Sequence, residues 1–409
     1  MKIRCLLLAS ALLILLCPPV CFPQDYEDYE SSVDDIFNDV GDSELSEEQV
    51  EDKQSMEPSF STGSPVISFY GHFNAAAGLV EKIRPDTNTN MGMTFNNTLG
   101  FTAHPAPEFT IQGAVRTEFP DFDISLSHLY FDYILAEKVY ISVGATAKSW
   151  GNSRIFDTNI LDDEDYSEPK IFDLSFTPTR RFDTSITIPI GYGQIEALAM
   201  YKGSDIPEVS KENIAYAAEV EYPIGPFAVS LFARTWAKRD TQRMQPAFGL
   251  SVTTDLLGNH ITLWGKVHAP RGKVQEDISY AKFVGGISRL WDLDDIGKMG
   301  FAAEYQFIYD SHTGGGSTTS SELAFTAAWS HMFRSDVSPS VQWYLNIDNM
   351  SGYVIPSISY TPFKYLTVTL VAPVLYNGGS YSYDSVTYTS SANSVTALLG
   401  LIFTLSVDY

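Results

Sequence analysis

Beyond residue 21 the chain has no cysteine. Its three, Cys5, Cys17 and Cys21, sit in the first two dozen of 409 residues. If that stretch is cleaved, what remains can build no disulfide framework, zinc–thiolate cluster or thiol nucleophile. Long apolar runs are also missing. The main one, Cys5 to Leu16, is twelve residues, short of the roughly eighteen a membrane helix needs. Basic residues are scarce, 26 Lys and Arg against 50 Asp and Glu, and a net charge of −24 argues against nucleic acid as a partner. Catalytic and metal motifs are absent as well. There is no G-x-S-x-G, since the stretch Gly-Ile-Ser-Arg-Leu at Gly286 lacks the closing glycine. The acidic residues do not follow EF-hand spacing. His260 and His268 share one strand parity, but eight extended residues separate them by roughly 26 Å, too far to share a metal. The chain therefore reads as a non-enzyme with no cofactor and no metal.

What is present begins with Met-Lys-Ile-Arg followed by the apolar run. That order is a positive n-region and an h-region, and residues 1–24 are expected to be a secretory signal peptide. The flanks of Cys17 and Cys21 match a lipid-attachment box poorly. Residues 25–64 form a second compositional unit. Between Asp25 and Glu57 fourteen acids stand against one base, Lys53, with too few large apolar residues to fold alone. The expectation is an acidic disordered segment. Val33, Ile36, Phe37 and Val40 recur at helical spacing, which offers residues 25–60 as a docking element for a periplasmic partner or as a plug.

From residue 65 to 409 the pattern changes to alternating runs separated by turn chemistry. Eighteen strands can be placed: 66–80, 92–103, 108–117, 122–134, 138–149, 183–190, 193–202, 212–222, 226–238, 246–255, 260–268, 278–290, 298–309, 321–333, 338–347, 353–361, 365–376 and 394–409. In 298–309 Met299, Phe301, Ala303, Tyr305, Phe307 and Tyr309 share one parity, and Gly300, Ala302, Glu304, Gln306 and Ile308 the other. Strand 122–134 switches parity, which predicts a bulge near Ser127–His128. Alternate connections are short, such as Gly191–Tyr192 and Pro223–Gly225. The intervening ones are mostly long, such as 150–182 and 377–393. Strands of about ten residues with short turns on one side and long loops on the other are the pattern of a transmembrane barrel. The fold class expected is all-β, an antiparallel up-and-down barrel of eighteen strands, with sixteen as the alternative. An even count puts both termini on the short-turn side.

The last run, SVTALLGLIFTLSVDY, alternates strictly around Leu399, Leu401, Phe403, Leu405 and Val407 and ends on Tyr409. It resembles the closing strand of bacterial outer-membrane β-barrels, whose terminal residue is typically aromatic and is read by the barrel-assembly machinery. The resemblance implies an outer-membrane barrel of porin-like type, in contact with outer-membrane lipid and with periplasmic termini and extracellular long loops. An eighteen-strand barrel is wide enough for an aqueous lumen. Strand parity assigns Lys148, Glu196, Glu219, Glu221, Arg234, Lys238, Lys266, Glu304 and Glu322 to that lumen. The third long-side loop, 150–182, is the longest. Resemblance to porins, whose third external loop folds inward, makes Asp162, Asp163, Glu164, Asp165, Arg180 and Arg181 candidates for a constriction. The function expected is a channel for small hydrophilic solutes. A surface adhesin on a barrel platform and a fatty-acid-type transporter are the alternatives. The oligomeric state is not encoded legibly.

Overall fold

The computed structural model describes residues 66–408 except 85–87, 120–122, 137, 147–149, 157, 159–160, 162–180, 202–213, 236, 240–241, 245, 269–279, 311–317 and 384–385. Residues 1–65, which hold the expected signal peptide and acidic segment, and Tyr409 lie outside the described residues.

In chain order the strands are β1 (Val66–Arg84), β2 (Asn88–Ala106), β3 (Phe109–Phe119), β4 (Asp123–Leu135), β5 (Val139–Thr146), β6 (Arg181–Ile190), β7 (Gly193–Tyr201), β8 (Ile214–Ile224), β9 (Phe227–Arg234), β10 (Ala237–Arg239), β11 (Gln242–Met244) and β12 (Ala247–Leu256). They continue with β13 (Asn259–His268), β14 (Tyr280–Asp292), β15 (Lys298–Asp310), β16 (Thr318–Ser330), β17 (Val337–Asn346), β18 (Ser351–Phe363), β19 (Leu366–Val371), β20 (Val374–Tyr376), β21 (Ser380–Tyr383), β22 (Val386–Thr389) and β23 (Val395–Asp408). Each wall strand pairs antiparallel with its sequence neighbours, and β23 returns to β1, from His72↔Asp408 to Arg84↔Ala397. β19 and β20 are one wall strand interrupted at Ala372–Pro373, where proline offers no N–H to the ladder. β10–β11 and β21–β22 are separate two-strand hairpins. The wall is thus a closed barrel of eighteen strands rather than sixteen.

The two faces of each strand separate as the alternation requires. Leu399, Leu401, Phe403 and Leu405 of β23 point outward and are about two-fifths exposed, and Leu263, Phe283 and Tyr305 do the same on other strands. An apolar exterior this continuous fits a hydrocarbon surround and not water. The bulge expected in β4 is present. Ala114 faces His128 while the next residue, Val115, faces Leu126, so Ser127 is the extra residue. The turns on one side are tight. At Leu257–Gly258 both residues take positive φ, 55° and 74°, the conformation that matches the twist of a two-residue hairpin.

Several boundaries differ from the sequence reading. The connection expected at 81–91 is strand: Glu81 pairs with Thr89 and Lys82 with Asn88, and only 85–87 remain between β1 and β2. Here Glu81 and Thr89 interrupt the outward apolar series of Leu79, Ile83 and Met91, so the alternation breaks while the ladder continues. The strand expected at 226–238 ends at Arg234, and Lys238 lies in β10, outside the wall. The strand expected at 138–149 is described to Thr146.

Sidedness gives a direct test. Replacing outward Leu401 by Arg should destabilise the barrel by about 2–4 kcal/mol, the cost of a cation near the bilayer midplane. Replacing inward Thr404 by Lys should cost less than about 1 kcal/mol. Urea unfolding in lipid vesicles reads both, and equal penalties would contradict the assignment of faces.

Candidate functional site

The segment after β5 turns into the barrel. Trp150, Ile155, Phe156 and Leu161 are all at most 5 % exposed. They pack on the inner wall against Leu198, Met200, Ala215, Ala217, Phe232, Ala247, Trp264, Val284, Ala302 and Ala324, with Tyr344 at the edge. The register places these on inward parity: Met200 faces Ala215, Leu198 faces Ala217, Trp264 faces Val284 and Ala302 lies beside Glu304. The alanines lower the wall and the larger side chains frame it, so β7 to β16 carry an apolar seat on a face that otherwise meets water.

Polar contacts fix the segment on that seat. Trp150 Nε1 donates to Glu196 Oε2 at 2.9 Å, and Asn152 Nδ2 donates to Ser251 Oγ at 3.1 Å. Thr262 Oγ1 donates to Asn152 O at 3.4 Å. The main anchor is Glu304. Its carboxylate accepts from the backbone N–H of Arg154 at 2.6 Å, Ile155 at 3.1 Å and Phe156 at 2.9 Å, and from Ser153 Oγ at 2.5 Å. Three successive amides curled round one anion form a nest. Charge-assisted bonds of this kind are roughly twice as strong as neutral ones. Gly286, across the ladder, leaves the room, since a methyl group there would press on Glu304 Cγ at 2.8 Å.

The lumen-facing charges expected from sequence divide into three groups. Glu196, Arg234, Lys266, Glu304 and Glu322 face inward and are buried. Lys266 Nζ lies 5.7 Å from the Trp264 ring and 5.9 Å from the Tyr280 ring, and Lys282 and His268 join this basic group from the same wall. Glu219 and Glu221 face inward near the short-turn mouth, where Gln194 Nε2 donates to Glu221 Oε2 at 3.0 Å. Asp162, Asp163, Glu164, Asp165, Arg180 and Lys148 lie outside the described residues. Arg181 opens β6, with its side chain undescribed, and the side chain of Lys238 is likewise undescribed.

Sequence reasoning missed the seat itself and a second inward element. Hairpin β21–β22 brings Tyr388, 6 % exposed, against Val80, Leu375 and Leu398, and Asn90 Nδ2 donates to Tyr388 Oη at 2.6 Å. Tyr344 and Tyr353, with ring centroids 5.4 Å apart, join the two packed regions. The inward side chains of β1 to β5, by contrast, are largely half-buried: His72, Asn74, Asn96, Thr98, Gln112 and Tyr130 all keep some access to solvent.

The register also sets Asp255, His260 and Ser288 side by side. His260 Nδ1 lies 2.9 Å from Asp255 Oδ1, but Ser288 Oγ is buried and has no hydrogen-bond partner. The nucleophile–base contact of a hydrolytic triad is therefore not made. Among the described residues no group of three or more His, Cys, Asp or Glu is placed to hold a metal ion.

The anchor can be tested on the folded barrel. Glu304→Ala should cost about 1–3 kcal/mol through the donors left unpaired and should make the 150–182 loop cleavable by an external protease. A loop that stays resistant in the variant would show that the apolar seat alone holds it.

No family model matches the chain, and no curated protein matches it in sequence. Solved structures do match in shape, among them three from Pseudomonas aeruginosa. For OccK11 (OpdR) the TM-score is 0.51 at 9 % identity, over 83 % of this chain and 96 % of that one. For OpdO it is 0.52 at 13 % identity, over 83 % and 97 %. For OpdQ it is 0.52 at 8 % identity, over 84 % and 97 %. At these identities the likeness is one of fold: a closed barrel spanning nearly the full length of each of those chains.

Proposed function

We propose that the chain is an outer-membrane porin that lets small hydrophilic solutes diffuse through a lumen narrowed by the 150–182 loop. The observation that carries this reading is the uneven filling of the barrel. One wall is covered by an anchored loop, and the facing wall, β1 to β5, keeps partly exposed polar side chains. A barrel that served only as a platform for surface loops has no need of a polar inner wall left open to water. The apolar exterior supports contact with outer-membrane lipid, and the similarity in fold to OpdO and OpdQ supports the same compartment.

In this reading the short-turn mouth and both termini are periplasmic and the long loops are extracellular. The barrel-assembly machinery reads the β23 terminus, with Phe403, Leu405, Val407 and Tyr409 as the signal. Residues 25–60 reach a periplasmic partner. Asp162, Asp163, Glu164 and Asp165 follow directly on buried Leu161 and supply negative charge at the narrowing, with Arg180, Arg181 and Lys148 as counter-charges. Rings or clusters of fixed charge set ion selectivity in such pores.

The experiment is conductance of the purified protein in a planar bilayer under a salt gradient. Stable current steps with a preference for cations are expected. Replacing Asp162, Asp163 and Asp165 by Asn and Glu164 by Gln should move the reversal potential toward anions. No current from a protein shown by heat-modifiable gel mobility to be folded would sink the porin reading.

A further inference from the structure

We infer that the open wall carries a binding subsite for a neutral polyhydroxylated solute, a sugar or polyol, built around Tyr70. This inference rests on the porin reading and adds to it the route and the class of solute.

The site is one row of the ladder. Tyr70 of β1 faces Gly100 of β2, Gly100 faces Ala114 of β3, and Ala114 faces His128 of β4. The Tyr70 ring runs along that row. A methyl group at Gly100 would overlap its far edge, Ala114 is 3 % exposed, and Tyr70 Oη reaches His128 Nε2 at 3.2 Å. A ring that spans from β1 toward β4 over a glycine and an alanine lies flat on the wall. Tyr70 is still 39 % exposed, and with one face on the wall that exposure is on the lumen side. The His128 and Tyr130 rings, 5.6 Å apart, extend the aromatic surface.

The groups around this surface are mostly uncharged. Asn74 and Asn96 face each other four residue pairs along the ladder, and Thr98 lies between them and the ring. Tyr130 Oη donates to Gln112 Oε1 at 2.7 Å on the other side. Amides and hydroxyls both donate and accept, as sugar hydroxyls do. Of the charges beside the ring, Arg116 and Glu118 lie 2.6 Å apart and offset each other, and Asp132 follows Tyr130 on the inward parity of β4. Seven other inward charges, Asp183, Glu196, Arg234, Lys266, Lys282, Glu304 and Glu322, lie on the wall from β6 to β16 and are at most 8 % exposed. A flat aromatic face with a few convergent two-way hydrogen-bonding groups suits a ring that is apolar on its faces and hydroxylated at its edge.

The test uses the full chain with Cys5, Cys17 and Cys21 replaced by Ser, and the trisaccharide raffinose as probe. A membrane-impermeant thiol reagent should cut the conductance of Asn96→Cys and Thr98→Cys at least twofold and leave Ser251→Cys and Thr262→Cys unchanged. Raffinose should reduce ion current saturably. Tyr70→Ala should raise its half-blocking concentration at least tenfold. Tyr70→Phe, which keeps the ring, should stay within threefold. A conducting pore that labels at Ser251→Cys and not at Asn96→Cys, or in which Tyr70→Ala is blocked like the parent, overturns the subsite and leaves the porin reading standing. A folded protein with no current overturns both.

Discussion

The structure depends on one requirement, that no backbone N–H or C=O of the wall be left without a partner. A sheet with edges cannot meet it in hydrocarbon, and a closed sheet can. The pairing of β1 with β23 is where closure happens, and its register, from His72↔Asp408 to Arg84↔Ala397, fixes every other strand. Each wall strand then has one face for lipid and one for the lumen. A register shift of one residue would turn Leu399, Leu401, Phe403 and Leu405 inward together. The alternation and the closure therefore enforce each other. The chain reaches this without disulfides, because the constraint is topological and is distributed over eighteen strands.

What was legible in the sequence follows from that constraint. All eighteen strands, the side with short turns and the bulge at Ser127 come from period-two alternation, because the two faces meet different solvents. Legibility ends where that difference ends. The far parts of β1 and β2, around Glu81–Lys82 and Asn88–Thr89, are hydrogen-bonded strand in which Glu81 and Thr89 break the outward apolar series, so the alternation gives no continuous run to read. Lys238 was placed on the inner wall by extending parity four residues past Arg234, across a point where the chain leaves the barrel.

The seat was missed for a related reason. Ala215, Ala217, Ala247, Ala302 and Ala324 have the lumen parity, and so do Leu198, Met200, Phe232, Trp264 and Val284. A run of apolar residues on the water-facing parity of adjacent strands was a signal that something covers them. It becomes visible only after the strands are laid side by side, because each strand contributes one or two such residues. Glu304 hides in the same way. On its own strand it is one polar residue on the polar face, and its role arises from three amides supplied by a loop about 150 positions earlier in the chain.

Seat and anchor together explain why the charges that parity assigns to the lumen are poor guides to what a solute meets. An ionised carboxylate is tolerated at 3 % exposure only with its acceptor capacity filled, and the amides of residues 154–156 with Ser153 Oγ do that for Glu304. Glu196 is held by Trp150 and Thr187 Oγ1 in the same manner. Charges committed to holding a loop are screened from the passage by the loop they hold. The passage is therefore displaced toward β1 to β5, where apolar cover is confined to the contact of Tyr388 with Val80. Its chemistry is that of the amides, hydroxyls and rings of that wall. Placing a side chain inside a barrel and placing it in contact with the solute are separate steps, and the second depends on which wall the inward loop occupies.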